Sequence, residues 1–184
     1  MAVFSRVAPW ILFGLGQLLF GREWASPLGA VAAAVIIGVG LARGHKPAEM
    51  ILDASSLTYF TGFSGLVFAA PQSAIIEYVA GGAQLFQAAV IGVFLLARLP
   101  FTLPIARHSV PDAIGNSDWF YAFNARLTLV WLIAFVAGGA AIVLMVLAGF
   151  DNVPAQIVVI IVSIILPAYV QNRIVHKAEA SISV

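Results

Sequence analysis

Cysteine is absent from the 184 residues, which excludes disulfides, thiolate nucleophiles and the cysteine-rich zinc or iron–sulfur sites. Charge is almost as scarce. Only 9% of residues are Asp, Glu, Lys or Arg, against about 25% in ordinary soluble domains. With 9 basic and 8 acidic side chains the net charge is +1, so a basic surface able to hold nucleic acid is excluded as well. Catalytic signatures are missing too. There is no GxSxG elbow, Walker loop or GxGxxG, and His45, His108 and His176 lie too far apart in sequence to share a helical turn. No cofactor and no metal site is expected, and an enzyme is the less favoured class.

What abounds is apolar: 62% of the chain. Apolar stretches fall at 7–20, 28–42, 50–70, 79–97, 127–150 and 153–170. Backbone polar groups in hydrocarbon must be satisfied within their own segment, and a span needs about 20 residues, so these stretches predict an all-α polytopic membrane bundle of about six helices in one domain. The first two are short. Trp10, Trp24, Arg6, Arg22 and Arg43 lengthen them by interfacial anchoring, with a re-entrant hairpin as the alternative. Arg6 before an apolar run, with small Ala25 and Ser26 beyond it, has the outline of a secretory signal. Arg22 and Glu23 in the cleavage region argue instead for an uncleaved first span.

Orientation follows from the basic residues. With the N-terminus inside, the cytoplasmic side receives eight of them (Arg6, Arg43, Lys46, Arg98, Arg107, Arg126, Arg173, Lys177) and the outer side Arg22 alone. The positive-inside rule therefore predicts that both termini are cytoplasmic. Pro and Gly punctuate the connections, of which only 98–126 is long. The segments 33–43 and 88–98 both end Leu-Ala-Arg and match at seven positions, a similarity that apolar composition or a hairpin duplication would explain.

Polar residues inside the spans are few. Asp53, Ser56, Thr61 and Ser64 fall on one side of the third helix, and Gln84 and Gln87 lie three apart on the fourth, together forming a candidate polar path. Pairing of Asp53 at the interface and interhelical hydrogen bonding by the glutamines, with Gln17 in the first span, are the plainer readings. Small residues recur every four positions as Ala30, Ala34, Gly38 and Ala42, and again as Ala134 and Gly138. Such stripes pack helices closely, within a protomer or between protomers. In the long loop, Thr102, Arg107, Asn124 and Arg126 are the candidates for an anion or lipid-headgroup contact, with headgroup anchoring and local ion pairs as the alternative.

Pro100-Phe101-Thr102, Ala106-Arg107, Val110-Pro111 and then Phe123-Asn124, Thr128 and Trp131 make an ordered series. It resembles an uncharacterised family of small bacterial multi-pass membrane proteins, in which a Pro-Phe-Thr run, an Ala-Arg, a Val-Pro and an Asn-x3-Thr-x2-Trp pattern recur between two spans. Lys46-Pro47 is similar to that family's entry to the third span, so the resemblance covers 46–135. Pro104-Ile105 stands where the family has Gln-Tyr. More distantly, size, span number and the Lys-Pro entry are similar to the intracellular septation membrane proteins. That resemblance implies a cell-envelope role in the bacterial cytoplasmic membrane. Three functions are then in competition: a structural or assembly subunit, a small transporter or channel using the polar path, and a membrane enzyme or binder of a lipid headgroup. The expected partners are the bilayer and a second copy or another membrane protein.

Overall fold

The computed structural model describes the backbone from residue 2 to 182, and the side chains of 9–176 apart from that of Arg22. The side chains of Arg6, Arg22 and Lys177, used above for orientation, lie outside the described residues. The described chain is helical without strands: α1 Ala2–Phe20, α2 Arg22–Ala42, α3 Ile51–Ala69, α4 Val79–Leu96, the short α5 Thr102–Arg107 and α6 Asp112–Gly115, then α7 Asp118–Leu147 and α8 Val153–Ile182. Among the described residues four helical segments are long and apolar enough to cross a membrane: Glu23–Ala42, Ala74–Leu96, Asp118–Leu147 and Val153–His176. Pro9–Phe20 is a shorter apolar helix. In α3 the polar residues Asp53, Ser55, Ser56, Thr58, Thr61 and Ser64 dilute the apolar character.

Helix ends explain where the observed bounds depart from the apolar runs. Apolar runs stop at the first charge, whereas a helix continues until its backbone is capped. Thus α7 starts well before residue 127, where Ser117 accepts a hydrogen bond from the Phe120 amide at 3.2 Å. Asn152 caps α8 through the Ala155 amide at 2.9 Å. The long 98–126 connection is consequently mostly helical, folded into α5, α6 and the first turns of α7. At their C-termini α2, α4 and α7 end on left-handed residues, Gly44 (φ 80°), Arg98 (φ 60°) and Gly149 (φ 73°). Arg43 and Arg98, aligned by the Leu-Ala-Arg similarity, therefore play different backbone roles: Arg43 has φ −90°.

The six long helices pack in a ring, α1 on α2, α2 on α3, α3 on α4, α4 on α7, α7 on α8, and α8 back on α1. Rings fill its centre. Phe60 of α3 sits 5.0 Å from Phe13 and 5.7 Å from Trp10 of α1, and Trp10 lies 6.2 Å from Phe135 of α7, measured between centroids. On α2, Gly29 leaves room for Phe60, since a Cβ there would stand 2.9 Å from the ring. Between α4 and α7 the backbones themselves approach: a Cβ on Gly81 would lie 3.2 Å from the Gly139 carbonyl, and one on Gly139 3.1 Å from that of Gly81. The outward surface is apolar, with Leu19, Val31, Ile133, Leu144 and Ile165 all more than half exposed. Four long apolar helices with this exterior suggest a membrane protein.

Candidate functional site

Among the described residues the helix ring holds a bonded polar cluster and several buried polar side chains without partners. The cluster is between α3 and α4. Hydroxyls in a helix readily bond back to the preceding turn, and Ser55 and Ser56 both donate to the Leu52 carbonyl at 2.9 Å. Gln87 of α4 reaches across to them: its side-chain amide donates from Nε2 to Ser56 Oγ at 3.1 Å and to Leu52 O at 3.2 Å, while its Oε1 accepts from Ser55, whose one hydroxyl proton is shared with the Leu52 carbonyl. Tyr59 adds a second stitch by donating to the Val79 carbonyl at 2.9 Å. Asp53 is buried at 3% exposure one turn from this cluster along α3. The rest of the expected stripe disperses. Thr61 is exposed, and half-buried Ser64 donates to its own helix at Phe60 O, 2.6 Å away.

Gln84 does not join Gln87. It is fully buried and turned to α7 and α8, where its Oε1 would lie 2.7 Å from a Cβ on Gly138 and where Ser163 borders the same glycine. Both amide atoms of Gln84 lack a hydrogen-bond partner, as do both of Gln17, Ser26 Oγ and Gln156 Oε1, all at 6% exposure or less. Leaving a buried polar group unpaired costs about 1–3 kcal/mol, so each of these residues carries a stored cost. Gln156 Nε2 does find Asp151 Oδ1 at 3.0 Å. Gln17 lies one turn beyond Phe13 and Ser26 one turn from Gly29, so both sit next to the aromatic centre along their helices. Sequence reasoning missed Gln156, Ser163 and Ser26. The seven-residue spacing of Gln156 and Ser163, on one face with Ile160, was the available signal.

The loop candidates serve mainly to fasten α5 to α7. Thr102 Oγ1 donates to the Asn124 carbonyl at 2.9 Å and lies 3.0 Å from Thr128 Oγ1, whose hydroxyl then points to it. Phe101 meets Trp131 edge-on at 6.2 Å. The Pro-Phe-Thr and Asn-x3-Thr-x2-Trp residues are therefore two halves of one contact. Asn124 donates to Phe120 O at 2.9 Å, leaving Oδ1 buried and unpaired. Exposed Arg107 is turned elsewhere, donating from Nε to Gly115 O at 3.0 Å, and Arg126 is exposed. Among the described residues no cluster of three or more His, Asp or Glu could hold a metal ion.

One ionic contact had no sequence signal. Glu49, in the 3-10 turn Pro47–Glu49 that leads into α3, is buried and its Oε1 lies 2.8 Å from Nε2 of exposed His108 after α5. Burial alone would push the Glu49 carboxyl up, but the His108 hydrogen bond, the Lys46 backbone and the charges of His108 and His45 together hold it below its ordinary value. A depressed carboxyl stabilises the fold above its unfolded value and loses that contribution as pH falls through the lower folded one. The thermal midpoint of the purified protein should therefore decline below about pH 4.3, and Glu49→Gln should flatten that decline. An unchanged slope in the variant would remove Glu49 as its source.

No protein-family model, no curated protein and no solved structure matches the chain.

Proposed function

We propose that the chain is a six-span protein of the bacterial cytoplasmic membrane, with both termini inside, serving as a structural or assembly subunit that acts through contacts within the bilayer. Besides the four long apolar segments, α1 and α3 have 19 residues each, enough at about 1.5 Å per residue to cross most of a ~30 Å core. Reporter fusions at Gly44, Pro71 and Asp151 test the topology. Gly44 should report inside and the other two outside; Gly44 outside overturns it.

The observation that carries the assembly reading is the orientation of α2. Of its small residues, Ala34, Gly38 and Ala42 are exposed, and a Cβ on Gly38 would meet nothing within 4 Å. The corresponding stripe of α7 is used inside the chain, at Gly138. Small residues every four positions let two helices approach closely in a membrane, where van der Waals packing is the main driving force. Gly62 and Gly65 on neighbouring α3 are likewise open. A second copy of the chain supplies a matching surface. Because the protein has no cysteine, single substitutions report without background. Gly38→Cys should form a disulfide dimer on oxidation in native membranes, whereas Val93→Cys on the exposed face of α4 should not. Equal crosslinking at both positions, or none at Gly38, would sink the reading.

A second reading, a small transporter, is favoured by the unpaired amides of Gln17 and Gln84. Its test is flux in proteoliposomes, which Gln84→Leu or Asp53→Asn should abolish.

A further inference from the structure

Among the described residues the ring has a thin seam between α1 and α8. The two helices touch where a Cβ on Gly14 would stand 3.5 Å from Ile157, and beside that contact lies a cavity of about 660 Å³ bounded by α1, α7 and α8. Its floor is buried, with Trp10, Ile160 and Ile164 at 7% exposure or less. Its lips are open: Leu15, Ile161 and Ile165 are 45 to 61% exposed. From Ile157 to Asn172 the cavity follows α8 for about 22 Å at ~1.5 Å per residue, a large part of a ~30 Å hydrocarbon core. This is a long apolar groove facing sideways, at the depth of lipid chains.

One end of the groove is polar. Tyr169, Gln171 and Asn172 line it there, and Trp131 Nε1 donates to Gln171 Oε1 at 2.7 Å, fixing that amide at the rim. Arg173 is held at the same end: its Nε donates to Tyr169 Oη at 2.9 Å, and its guanidinium carbon lies 5.3 Å from the Tyr169 ring centre. Those contacts use Nε and leave the two terminal NH2 groups of the guanidinium to bind an anion, for which their fork geometry suits phosphate. A positive group at the interface end of an apolar slot between spans meets a phosphate in either kind of phospholipid, but only in an anionic one is that negative charge not offset by a cation on the headgroup, so the anionic lipid is favoured.

We propose that this groove holds an acyl chain of an anionic phospholipid, with the lipid phosphate on Arg173. Under the six-span reading this is a lipid of the cytoplasmic leaflet; the proposal uses that reading only to name the leaflet and does not depend on the α2 contact. The occupied seam joins α1 to α8, closing the ring with lipid where the described side chains leave it thin.

Two tryptophans line the groove, so their fluorescence reads its contents. In a Trp24→Phe/Trp119→Phe background, which leaves Trp10 and Trp131, the full chain is reconstituted in phosphatidylcholine vesicles. A minority of either brominated phosphatidylglycerol or brominated phosphatidylcholine is then added. The anionic lipid should quench at about fivefold lower mole fraction, the preference expected of one basic side chain at the interface. Arg173→Lys should keep most of the preference and Arg173→Gln should lose it. Equal quenching by the two lipids would reduce the groove to ordinary boundary lipid and overturn the proposal. So would a preference that survives Arg173→Gln. Weak quenching with disulfide dimers at Ile161→Cys would put a second copy in the groove instead. Dimerisation through Gly38→Cys is read separately, so the lipid proposal and the assembly reading can fail independently.

Discussion

Gly139→Val should be the most damaging single substitution in the chain, lowering stability by at least about 3 kcal/mol or preventing assembly of the bundle. A Cβ at this position would stand 2.8 Å from Leu85 Cγ and 3.1 Å from the Gly81 carbonyl. The leucine can shift, but the carbonyl belongs to the backbone of α4 and moves only if the helix does. Gly81→Val should act similarly, its Cβ facing Val143 Cγ2 at 2.9 Å and the Gly139 carbonyl at 3.2 Å. Gly92→Ala supplies the control on the same helix. Its added methyl would meet only Leu132 at 3.8 Å, and replacing a helical glycine gains up to about 1 kcal/mol, so its thermal midpoint in detergent should hold or rise. If Gly139→Val unfolds with the midpoint of the parent protein, α4 and α7 do not pack through their glycines.

The second large effect is a difference in sign between two glutamines on one helix. Gln87→Met removes a side chain that bonds to Ser55, Ser56 and the Leu52 carbonyl, and should cost about 1–2 kcal/mol. Gln84→Met replaces an amide with both polar atoms buried and unpaired by an apolar chain of similar length, and should stabilise by about 1–3 kcal/mol. Unfolding midpoints of the two variants, measured in one detergent, decide the matter. A loss at both positions would mean that the Gln84 amide is bonded to something polar in the working protein, which favours the transporter reading. A gain at Gln84 accompanied by lost function would mark it as a residue kept for activity at the expense of stability.

Helices were legible in the sequence because apolar runs, Pro and Gly report directly on what the backbone can do. The bounds were less so: Ser117 caps α7, which starts at Asp118, nine residues ahead of the apolar run at 127, at a point that hydropathy does not mark, whereas α8 starts at Val153 where its run does. For the candidate sites, residue type was readable and direction was not. Thr102 and Asn124 were singled out in sequence, yet their joint role depends on α5 folding back on α7, across 22 residues of chain. The Glu49 and His108 pair spans 59 residues and had no local pattern to reveal it.

The amino-acid sequence alone determined that this is a helical chain of bilayer composition, with almost no charge available for chemistry inside it. Tertiary structure alone decided which faces are inside. Lipid tails and protein interiors are both apolar, so hydrophobic periodicity, which separates core from surface in water, carries little such information in a membrane. Ala34 and Gly38 on α2 therefore read like Ala134 and Gly138 on α7, although the first pair is exposed and Gly138 is packed against Gln84 and Ser163. Gln84 and Gln87, three residues apart, went to different neighbours for the same reason: only the positions of α3, α7 and α8 around α4 determine what each amide meets.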